Sequence, residues 1–319
     1  MKTFSDSLKV VFMGTPEFAV PSLKAMIEAG ADVRAVVTQP TRPSGRGLSA
    51  KDSPVKTLAL EHKLPVLEPL TIKGEGFINE LKALGPDLIA VVAYGRILPR
   101  AVLDLPRLGC VNLHASLLPA YRGAAPVNWA VINGEAKTGV STMLMDEGMD
   151  TGAVLLTEEI EIGEDETTGE VLEKLSGLGA ALLVKTIGLL QEGKLTPEPQ
   201  DDTKATYAPL LKKEDGRVDW TKSPEEIRNR LRGLKPWPGT YSYWNGKLLK
   251  IHGARVSTGV DGKAAPGVVI SAAADGIVVK CGSGALKVTE LQLEGKRRMS
   301  AAEFLRGHSL GEGESFGKE

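Results

Sequence analysis

The segment LKVVFMGTP, residues 8–16, decides the fold class because it joins a strand signal directly to a helix signal. Residues 8–13 are mostly apolar and have the length of a strand that is buried on both faces. Gly14 suits a tight turn, and Thr15 and Pro16 provide an N-cap and a proline for the first helical turn. We expect that helix to run to about Gly30. The chain therefore opens as a strand-turn-helix unit.

The same alternation of strands and helices continues as far as residue 191. Strands are predicted at residues 33–38, 64–67, 88–93, 109–113, 140–145 and 154–162, and helices at 54–62, 76–84, 126–133 and 168–191. This order is typical of an α/β domain with a Rossmann-like parallel sheet that helices cover on both faces. The Gly14 turn has neither the Gly-x-Gly-x-x-Gly pattern nor a P-loop, so we expect no dinucleotide and no nucleoside triphosphate there.

A chain of 319 residues is long for one domain and suits two. Prolines and acidic residues replace the apolar pattern after the long helix, so we expect a first domain at 1–195, a linker at 196–208 and a second domain at 209–319. The second domain begins with a capping-box pattern from Ser223 to Glu226, and turns such as Asn245-Gly246 separate its short β-rich runs. This spacing favours a small β-barrel but leaves a sandwich open.

Charge is divided unevenly between the two predicted domains. The whole chain has 39 Lys and Arg against 40 Asp and Glu, but from Thr203 onward there are 20 basic and 13 acidic residues. A basic C-terminal part is expected of a protein that binds nucleic acid, because neutralised phosphates supply most sequence-independent affinity. A solvated lysine-rich surface explains the charge equally well.

The cysteines and the apolar runs exclude several protein classes. Cys110 and Cys281 are far apart in apolar segments, so we expect no disulfide framework, and no zinc-type spacing predicts a metal site. No stretch approaches the ~20 apolar residues that span a bilayer. The expected protein is cytoplasmic and binds no membrane.

Two polar side chains close the strand predicted at residues 109–113. Asn112 and His114 are two residues apart, so both project from one face of an extended strand. An amide can donate to an oxyanion and an imidazole can move a proton near neutral pH, which suits acyl transfer. A buried histidine beside a turn-forming asparagine explains the pair equally well. A downstream loop with three carboxylates, residues 145–152, favours the catalytic interpretation.

The two segments that contain these residues resemble the folate-dependent formyltransferases. They are NLHASLLPAYRGAAPVNWAVINGE, from Asn112, and TGVSTMLMDEGMDTGAVL, from Thr138. The similarity extends to VFMGTPEFA at 11–19, TQPTRPSGRG at 38–47 and GKRRMS at 295–300. The resemblance implies a formyltransferase catalytic domain followed by an oligonucleotide-binding-like (OB-like) barrel. It also implies transfer of a formyl group from 10-formyltetrahydrofolate to the amino group of methionine on initiator tRNA, without a metal.

The resemblance assigns catalytic roles to Asn112, His114 and Asp150. Asn112 would donate to the oxyanion, and His114, oriented by Asp150, would relay protons. Asp146 and Glu147 compete for the carboxylate role, although a solvated loop explains them more simply. The expected folate-binding turn comprises Ser116, Leu117, Leu118 and Pro119, with Arg122 and Gly123 at the mouth of the site.

The resemblance also implies contacts with tRNA in both domains. Residues 39–56 form a long polar loop that would enter the acceptor end, with Arg42 and Arg46 as contacts, although this loop is less basic than is usual in the family. In the second domain we expect Lys296, Arg297 and Arg298 to hold the tRNA backbone. We expect Trp237, Tyr241 and Tyr243 to lie in the core, and the protein to be a monomer.

Two other functions fit the same sequence. A UDP-amino-sugar formyltransferase, or another folate-dependent formyltransferase, would share the Asn, His and Asp set. A UDP-amino-sugar formyltransferase is not expected to carry the arginine-containing loop, and a glycinamide ribonucleotide formyltransferase is not expected to carry the basic second domain. A non-catalytic protein that binds tRNA or folate would have no need to align Asn112 with His114.

Overall fold

The computed structural model describes residues 4, 8–41, 43–44, 49–259 and 263–317. The described residues form two compact units. The first comprises those of Met1–Pro126, Lys137–Glu161 and Leu172–Pro209, and the second those of Val127–Ala136, Ile162–Val171 and Leu210–Glu319. The predicted α/β class with a smaller β-rich part is confirmed. Arg42 and Arg46 lie outside the described residues.

The first unit contains a seven-stranded sheet. The strands of this unit are β1 (Lys9–Gly14), β2 (Asp32–Val37), β3 (Pro43–Ser44), β4 (Ser49–Ala50), β5 (Val66–Leu67), β6 (Leu88–Val92), β7 (Cys110–His114), β8 (Lys137–Leu144) and β9 (Val154–Glu161). Of these, β3 and β4 pair with each other outside the seven-stranded sheet. The helices between residues 9 and 191 are α1 (Val20–Glu28), α2 (Pro54–Glu61), α3 (Glu75–Leu84), α4 (Arg100–Leu103), α5 (Pro126–Ile132) and α6 (Thr168–Gln191). All of α5 except Pro126, and the first turn of α6, belong to the second unit.

The strand order of this sheet is β5-β2-β1-β6-β7-β8-β9. The pairs from β5 to β7 are parallel, but β8 pairs antiparallel with both β7 and β9. A fully parallel sheet was therefore the wrong expectation for this edge. The loop between β8 and β9 is too short for a crossover connection, so the second strand must run back beside the first.

Apolar residues fill both faces of the parallel part of the sheet. Val11, Met13, Ile89 and Val91 belong to one buried cluster together with side chains of α3 and α4. The alternate residues Val10, Phe12, Leu88 and Ala90 point to the opposite face and are also fully buried. The near-continuous apolar strands follow from this burial on two faces.

The start of the first helix differs from its prediction. A single turn of 3₁₀ helix, Glu17–Ala19, precedes α1, and Pro16 occupies the N-cap without a side-chain hydrogen bond. Thr15 does not cap the helix. Its Oγ1 accepts from the backbone N–H of Gln39 at 3.3 Å, so it links the end of β1 to the residues after β2.

The second unit is built on an antiparallel sheet. Its elements are α7 (Pro224–Gly233), β10 (Thr240–Trp244), β11 (Lys247–Ser257), β12 (Val269–Ala273), β13 (Gly276–Lys280), β14 (Ala285–Leu293), β15 (Met299–Ser300) and α8 (Ala301–Gly307). The strand order is β10-β11-β14-β13-β12, and β15 pairs with β14. The predicted capping box is confirmed, with Glu226 N–H donating to Ser223 Oγ at 3.1 Å.

The last described residues connect the two edges of this sheet. The N–H of Val269 in β12 donates to the carbonyl oxygen of Glu314 at 2.7 Å. The N–H of Gly317 donates to the carbonyl oxygen of Tyr243 in β10 at 2.9 Å. Bridging both edge strands removes exposed sheet edges, as barrel closure does. The sequence left a sandwich open, and this closure favours the barrel.

The aromatic residues of the second unit lie partly outside its core. Trp237, predicted to be buried, is 50% exposed. Tyr241 and Tyr243 are half-buried on the outer face of β10, whereas Thr240, Ser242 and Trp244 point inward. The alternation along a strand decides this arrangement, since adjacent residues cannot share a face.

Candidate active site

Strand β7 places Asn112 and His114 together. Both side chains project from one face of the strand and are 8% and 7% exposed, as their spacing predicts. Leu113 points to the opposite face, where it lies against α6. A Cβ atom added to Gly179 of that helix would be 2.7 Å from Leu113 Cδ2. The polar pair is thus fixed from behind by close packing.

The position of β7 in the sheet gives this pair access to ligands. The chain leaves β1 towards β2 on one side and later returns to β6 on the other, so the direction of winding reverses between β1 and β6. Open α/β sheets bind ligands at the carboxyl ends of the strands near such a reversal. Val91 of β6 is the sheet neighbour of Asn112.

Among the described residues, the Asn112 amide has no hydrogen-bond partner. Its oxygen and nitrogen are not fully buried, so a ligand could reach them. Amides that are nearly buried normally bond to protein or to water. An accessible amide in a buried setting is therefore a donor and acceptor available to a ligand. An amide in this state could donate to an oxyanion, and that role of Asn112 stays a prediction from the sequence.

The two ring nitrogens of His114 face different groups. Nε2 is 3.0 Å from the carbonyl oxygen of Tyr121, and Nδ1 is 3.7 Å from Oδ2 of Asp150. A carbonyl can only accept, so Nε2 carries a proton and donates it to this bond. Nδ1 then has no proton in the neutral ring. Protonation of Nδ1 would place an N–H beside the carboxylate.

Asp150 lies on the loop between β8 and β9 in a left-handed conformation with φ +56°. Its Oδ2 accepts from the backbone N–H of Gly123 at 2.8 Å, and its side chain is 16% exposed. Asp is among the residues that tolerate this backbone region, although at some cost. The bond to Gly123 fixes the carboxylate near His114 without a direct hydrogen bond to the ring.

The other two carboxylates of the loop have different surroundings. Asp146 Oδ1 accepts from the N–H of Gly148 at 3.0 Å and from the hydroxyl of Thr151 at 2.7 Å. Glu147 lies 3.8 Å from Arg100 in an exposed ion pair. Asp146 therefore shapes the loop, and only Asp150 of the three has a contact with His114 among the described residues.

The turn after β7 is held by the buried hydroxyl of Ser141. Ser141 Oγ donates to the carbonyl oxygen of Ser116 at 2.7 Å and accepts from the N–H of Leu118 at 3.0 Å. Ser116 is 1% exposed and Leu118 9%, whereas Leu117 and Pro119 are half-buried. Two backbone groups of the expected folate-binding turn are thus already bonded within the protein.

The sequence analysis placed Arg122 at the mouth of the site, but its side chain is buried and only 2% exposed. Its neighbour Gly123 has φ +118°, and an added Cβ would be 2.8 Å from the carbonyl oxygen of Ala208. Only glycine fits such a close approach of two backbones. The requirement for Gly123 is thus structural.

No sequence pattern predicted a role for the segment after β6. Arg96 Nη1 donates to the carbonyl oxygens of Pro69 and Leu70 at 3.1 and 3.2 Å, which joins the segments after β5 and β6. Leu70 and Ile97 remain 88% and 63% exposed. Exposed apolar side chains near the carboxyl ends of parallel strands suit a flat ligand ring. The Gly95-Arg96 turn directly after β6 was the available signal.

Two formyl transferase profiles match successive parts of the chain. The sequence profile "Formyl transferase" matches residues 8–187, and "Formyl transferase, C-terminal domain" matches residues 210–309. The chain belongs to the formyl transferase family. A methionyl-tRNA formyltransferase of Citrifermentans bemidjiense is 52% identical over 98% of this chain and 97% of its own length. The enzyme of the same name from Caldanaerobacter subterraneus is 53% identical over 96% of this chain and 99% of its own.

Solved structures share the fold of this formyl transferase at low sequence identity. WlaRD, described as a sugar 3N-formyl transferase, has a TM-score of 0.67 and 16% identity over 91% of this chain and 99% of its own. HypX from Aquifex aeolicus in complex with tetrahydrofolic acid has a TM-score of 0.59 and 18% identity over 93% of this chain and 46% of its own. These similarities concern the fold alone.

Carboxylates accompany two of the three basic residues predicted to bind tRNA in the second unit of this formyl transferase. Arg297 Nη2 donates to Glu303 at 2.8 Å, and the Arg298 guanidinium forms two hydrogen bonds to Glu290. Among the described residues, the Lys296 ammonium group has no ion-pair partner. A phosphate would therefore meet Lys296 directly and compete with carboxylates for the two arginines.

The arginines of α7 are similarly engaged within the second unit. Arg228 pairs with Glu164 and Asp165 at 3.1 and 2.9 Å. Arg232 is 8% exposed and donates to two backbone carbonyls, and burial lowers the pKa of its guanidinium. These residues stabilise the unit rather than present a free basic surface.

The predicted tRNA loop of this formyl transferase is closed at its base. Lys56 Nζ lies 2.8 Å from both Asp52 and Glu68, and these hydrogen bonds raise the pKa of Lys56. The lysine thus holds the end of the loop.

Proposed function

We propose that this chain transfers a formyl group from 10-formyltetrahydrofolate to the amino group of methionine carried by initiator tRNA. The observation that carries this proposal is the 52% identity to a methionyl-tRNA formyltransferase over nearly the full length of both chains. The similarity covers both the catalytic domain and the C-terminal domain. A similarity limited to donor binding would not need to include the second of these domains.

The reaction exchanges one C–N bond for another. The methionine amine attacks the formyl carbon on N10 of the folate, which forms a tetrahedral intermediate with an oxyanion and a cationic nitrogen. The amine nitrogen loses a proton, the bond from carbon to N10 breaks, and N10 takes up a proton. The products are the formamide and tetrahydrofolate. The site must therefore stabilise a negative oxygen and move a proton.

Asn112 fits the first requirement. Its amide lies in a nearly buried site and has no hydrogen bond to another described residue. A preorganised donor of this kind stabilises an oxyanion without reorganisation at the moment of reaction.

His114 and Asp150 fit the second requirement. The neutral ring has a lone pair at Nδ1, and Asp150 Oδ2 at 3.7 Å would stabilise the cation after that atom takes a proton. Asp150 remains fixed by Gly123 during this step. His114 accepts and returns the proton, and Asp150 stabilises its charged form.

For the donor, we infer a site formed by the turn after β7 and the segment after β6. Leu117 and Pro119 are half-buried, and Leu70 and Ile97 are exposed. Ser116 and Leu118 would act by shaping the turn, because Ser141 occupies their backbone groups. The folate ring would pack against the apolar side chains.

For the acceptor, we infer an RNA-binding face on the outer side of β10 and β11 in addition to Lys296, Arg297 and Arg298. Tyr241 is paired across strands with Lys250, and the Arg217 guanidinium lies 5.5 Å from the centre of the Tyr243 ring. Aromatic rings beside cations can stack bases and hold phosphates. Arg42 and Arg46 remain predictions from the sequence.

The partners of this reaction are initiator tRNA and the folate donor, and we propose a monomeric cytoplasmic enzyme. In the part of the chain that the structure describes, no helix has the length and apolarity needed to cross a membrane. No group of three metal-ligating side chains occurs among the same residues.

Formylation of defined acceptors tests the proposed function. The full chain is incubated with 10-formyltetrahydrofolate and one of three acceptors: methionine-charged initiator tRNA, methionine-charged elongator tRNA, or a UDP-amino-sugar. We expect formylmethionine on the initiator tRNA only. Transfer to the sugar alone would favour the other class of formyltransferase, and tight tRNA binding without transfer to any amine would indicate a binding protein.

A further inference from the structure

The buried side chain of Arg122 and the half-buried side chain of Gln200 form a bridge inside the first unit. Arg122 Nε and Nη2 donate to Gln200 Oε1 at 3.0 and 2.8 Å, and Nη2 also donates to Asp202 Oδ1 at 2.8 Å. Backbone bonds fix Arg122 further, since its N–H donates to Thr206 at 2.8 Å and its carbonyl oxygen accepts from Ala208 at 2.7 Å. The guanidinium is thus an immobile anchor.

The amide nitrogen of Gln200 contacts the catalytic loop. Nε2 donates to the carbonyl oxygens of Asp150 and Gly152 at 2.8 and 2.7 Å. A guanidinium can only donate and a carbonyl can only accept, so the Gln200 amide fits in one orientation. All of its hydrogen-bonding capacity serves to connect Arg122 with the loop.

This bridge restrains Asp150 at two points. Gln200 holds its backbone carbonyl, and Gly123, the neighbour of Arg122, holds its carboxylate. Asp150 has φ +56°, a conformation that side-chain-bearing residues keep only when their surroundings impose it. The predicted linker at 196–208 therefore contributes Gln200 to the support of the site.

We propose that Gln200 is a positioning residue for formyl transfer, which keeps the Asp150 carboxylate directed at His114 and uses Arg122 as its anchor. This inference rests on the proposed function. Gln200 acts through Asp150, so its loss should lower kcat while the KM values for folate and tRNA change little. Displacement of a catalytic group by about 1 Å can lower turnover about 100-fold, and we expect a loss of that size.

Three variants separate positioning from general stability. Gln200→Ala removes both contacts. Gln200→Glu keeps an acceptor for Arg122 but cannot donate to the two carbonyls, so we expect the same fall in kcat from a side chain of the same size. Glu198→Ala is the control, because this exposed neighbour holds Val154 through backbone atoms only. It should keep the kcat of the parent enzyme.

A double-mutant cycle tests whether Gln200 acts through Asp150. If it does, Gln200→Ala should have little further effect on kcat in an Asp150→Ala background. Losses that multiply, or a Gln200→Glu variant with normal kcat, would overturn the inference.

The His114 imidazole signals in NMR provide a readout without turnover. The chain has only four histidines, and we expect Gln200→Ala to shift the His114 signals as Asp150→Ala does. His62, His252 and His308 should be unchanged, which shows that the fold is intact. Unchanged His114 signals in Gln200→Ala would overturn the inference, whatever the acceptor of the enzyme is. A parent enzyme that does not formylate Met-tRNA would instead contradict the proposed function.

Discussion

Oδ2 of Asp150 lies 3.7 Å from Nδ1 of His114 but 2.8 Å from the backbone nitrogen of Gly123. The carboxylate therefore holds its place through the backbone and acts on the imidazole by its charge. The tautomer of the neutral ring is set by the carbonyl oxygen of Tyr121, which accepts from Nε2. The charge of Asp150 is the feature that a substitution should test.

Asp150→Asn should lower kcat by up to about 10,000-fold, the loss that follows an Asp-to-Asn change beside the catalytic histidine of a Ser-His-Asp triad. The new amide oxygen can replace Oδ2 and still accept from Gly123, so the substitution removes the negative charge beside Nδ1 but keeps this bond. A neutral amide oxygen stabilises the protonated ring less than a carboxylate does. Single-turnover formylation measures the loss. Normal single-turnover rates would exclude Asp150 from proton transfer.

Asn112→Ala should lower kcat about 100- to 1,000-fold, the usual loss of one oxyanion donor. Binding of tRNA and folate should change little, because the lost contact belongs to the transition state. Equilibrium binding measured beside turnover checks this expectation. A rise in KM with normal kcat would assign Asn112 to ground-state binding of the donor.

The positions of Asn112 and His114 could be predicted because two-residue spacing within a strand fixes their shared face. The contact between His114 and Asp150 depends on a left-handed loop residue and on Gly123, which local pattern does not specify. Gln200 and Arg122 are 78 residues apart, and only the folded chain brings them together. Tertiary contacts, rather than propensity, therefore determine the support of the site.

Charge counts predicted a basic second domain but not which cations are free. Arg297 and Arg298 are paired with Glu303 and Glu290, although the sequence places those carboxylates six and eight residues away. Trp237 was wrongly predicted to be buried because an aromatic residue in a β-rich segment is usually in a core. Its exposure depends on the loop between α7 and β10.

Lys250→Ala and Lys296→Ala should each weaken tRNA binding and reduce the slope of log affinity against log salt by about 1. Each lysine would contact one phosphate. Binding titrations at several salt concentrations measure the slope. Lys82→Ala, an exposed substitution in the first unit, is the control. Slopes equal to that of the control would remove both lysines from the RNA-binding face.

Both cysteine thiols should resist alkylation in the native protein. Burial raises the pKa of Cys110 to about 12 and that of Cys281 to about 11, so neither forms the reactive thiolate near pH 8. Mass spectrometry after treatment with iodoacetamide should find no adduct until denaturant is added. Rapid modification of Cys110 in the folded enzyme would show that the α4–β7 region opens.

Two glycines of α6 should respond in opposite ways to alanine. Gly177 is exposed with no atom within 4 Å of an added Cβ, so Gly177→Ala should stabilise the protein by about 0.5–1 kcal/mol through helix propensity. An added methyl at Gly179 would press on Leu113, and overpacking of this kind typically costs about 1–3 kcal/mol. Because Leu113 lies between Asn112 and His114, Gly179→Ala should also lower kcat, by up to about 100-fold if the strand shifts by 1 Å. Denaturant unfolding and turnover are measured on both variants. A Gly179→Ala enzyme as stable and active as Gly177→Ala would show that close packing behind β7 does not position the catalytic side chains.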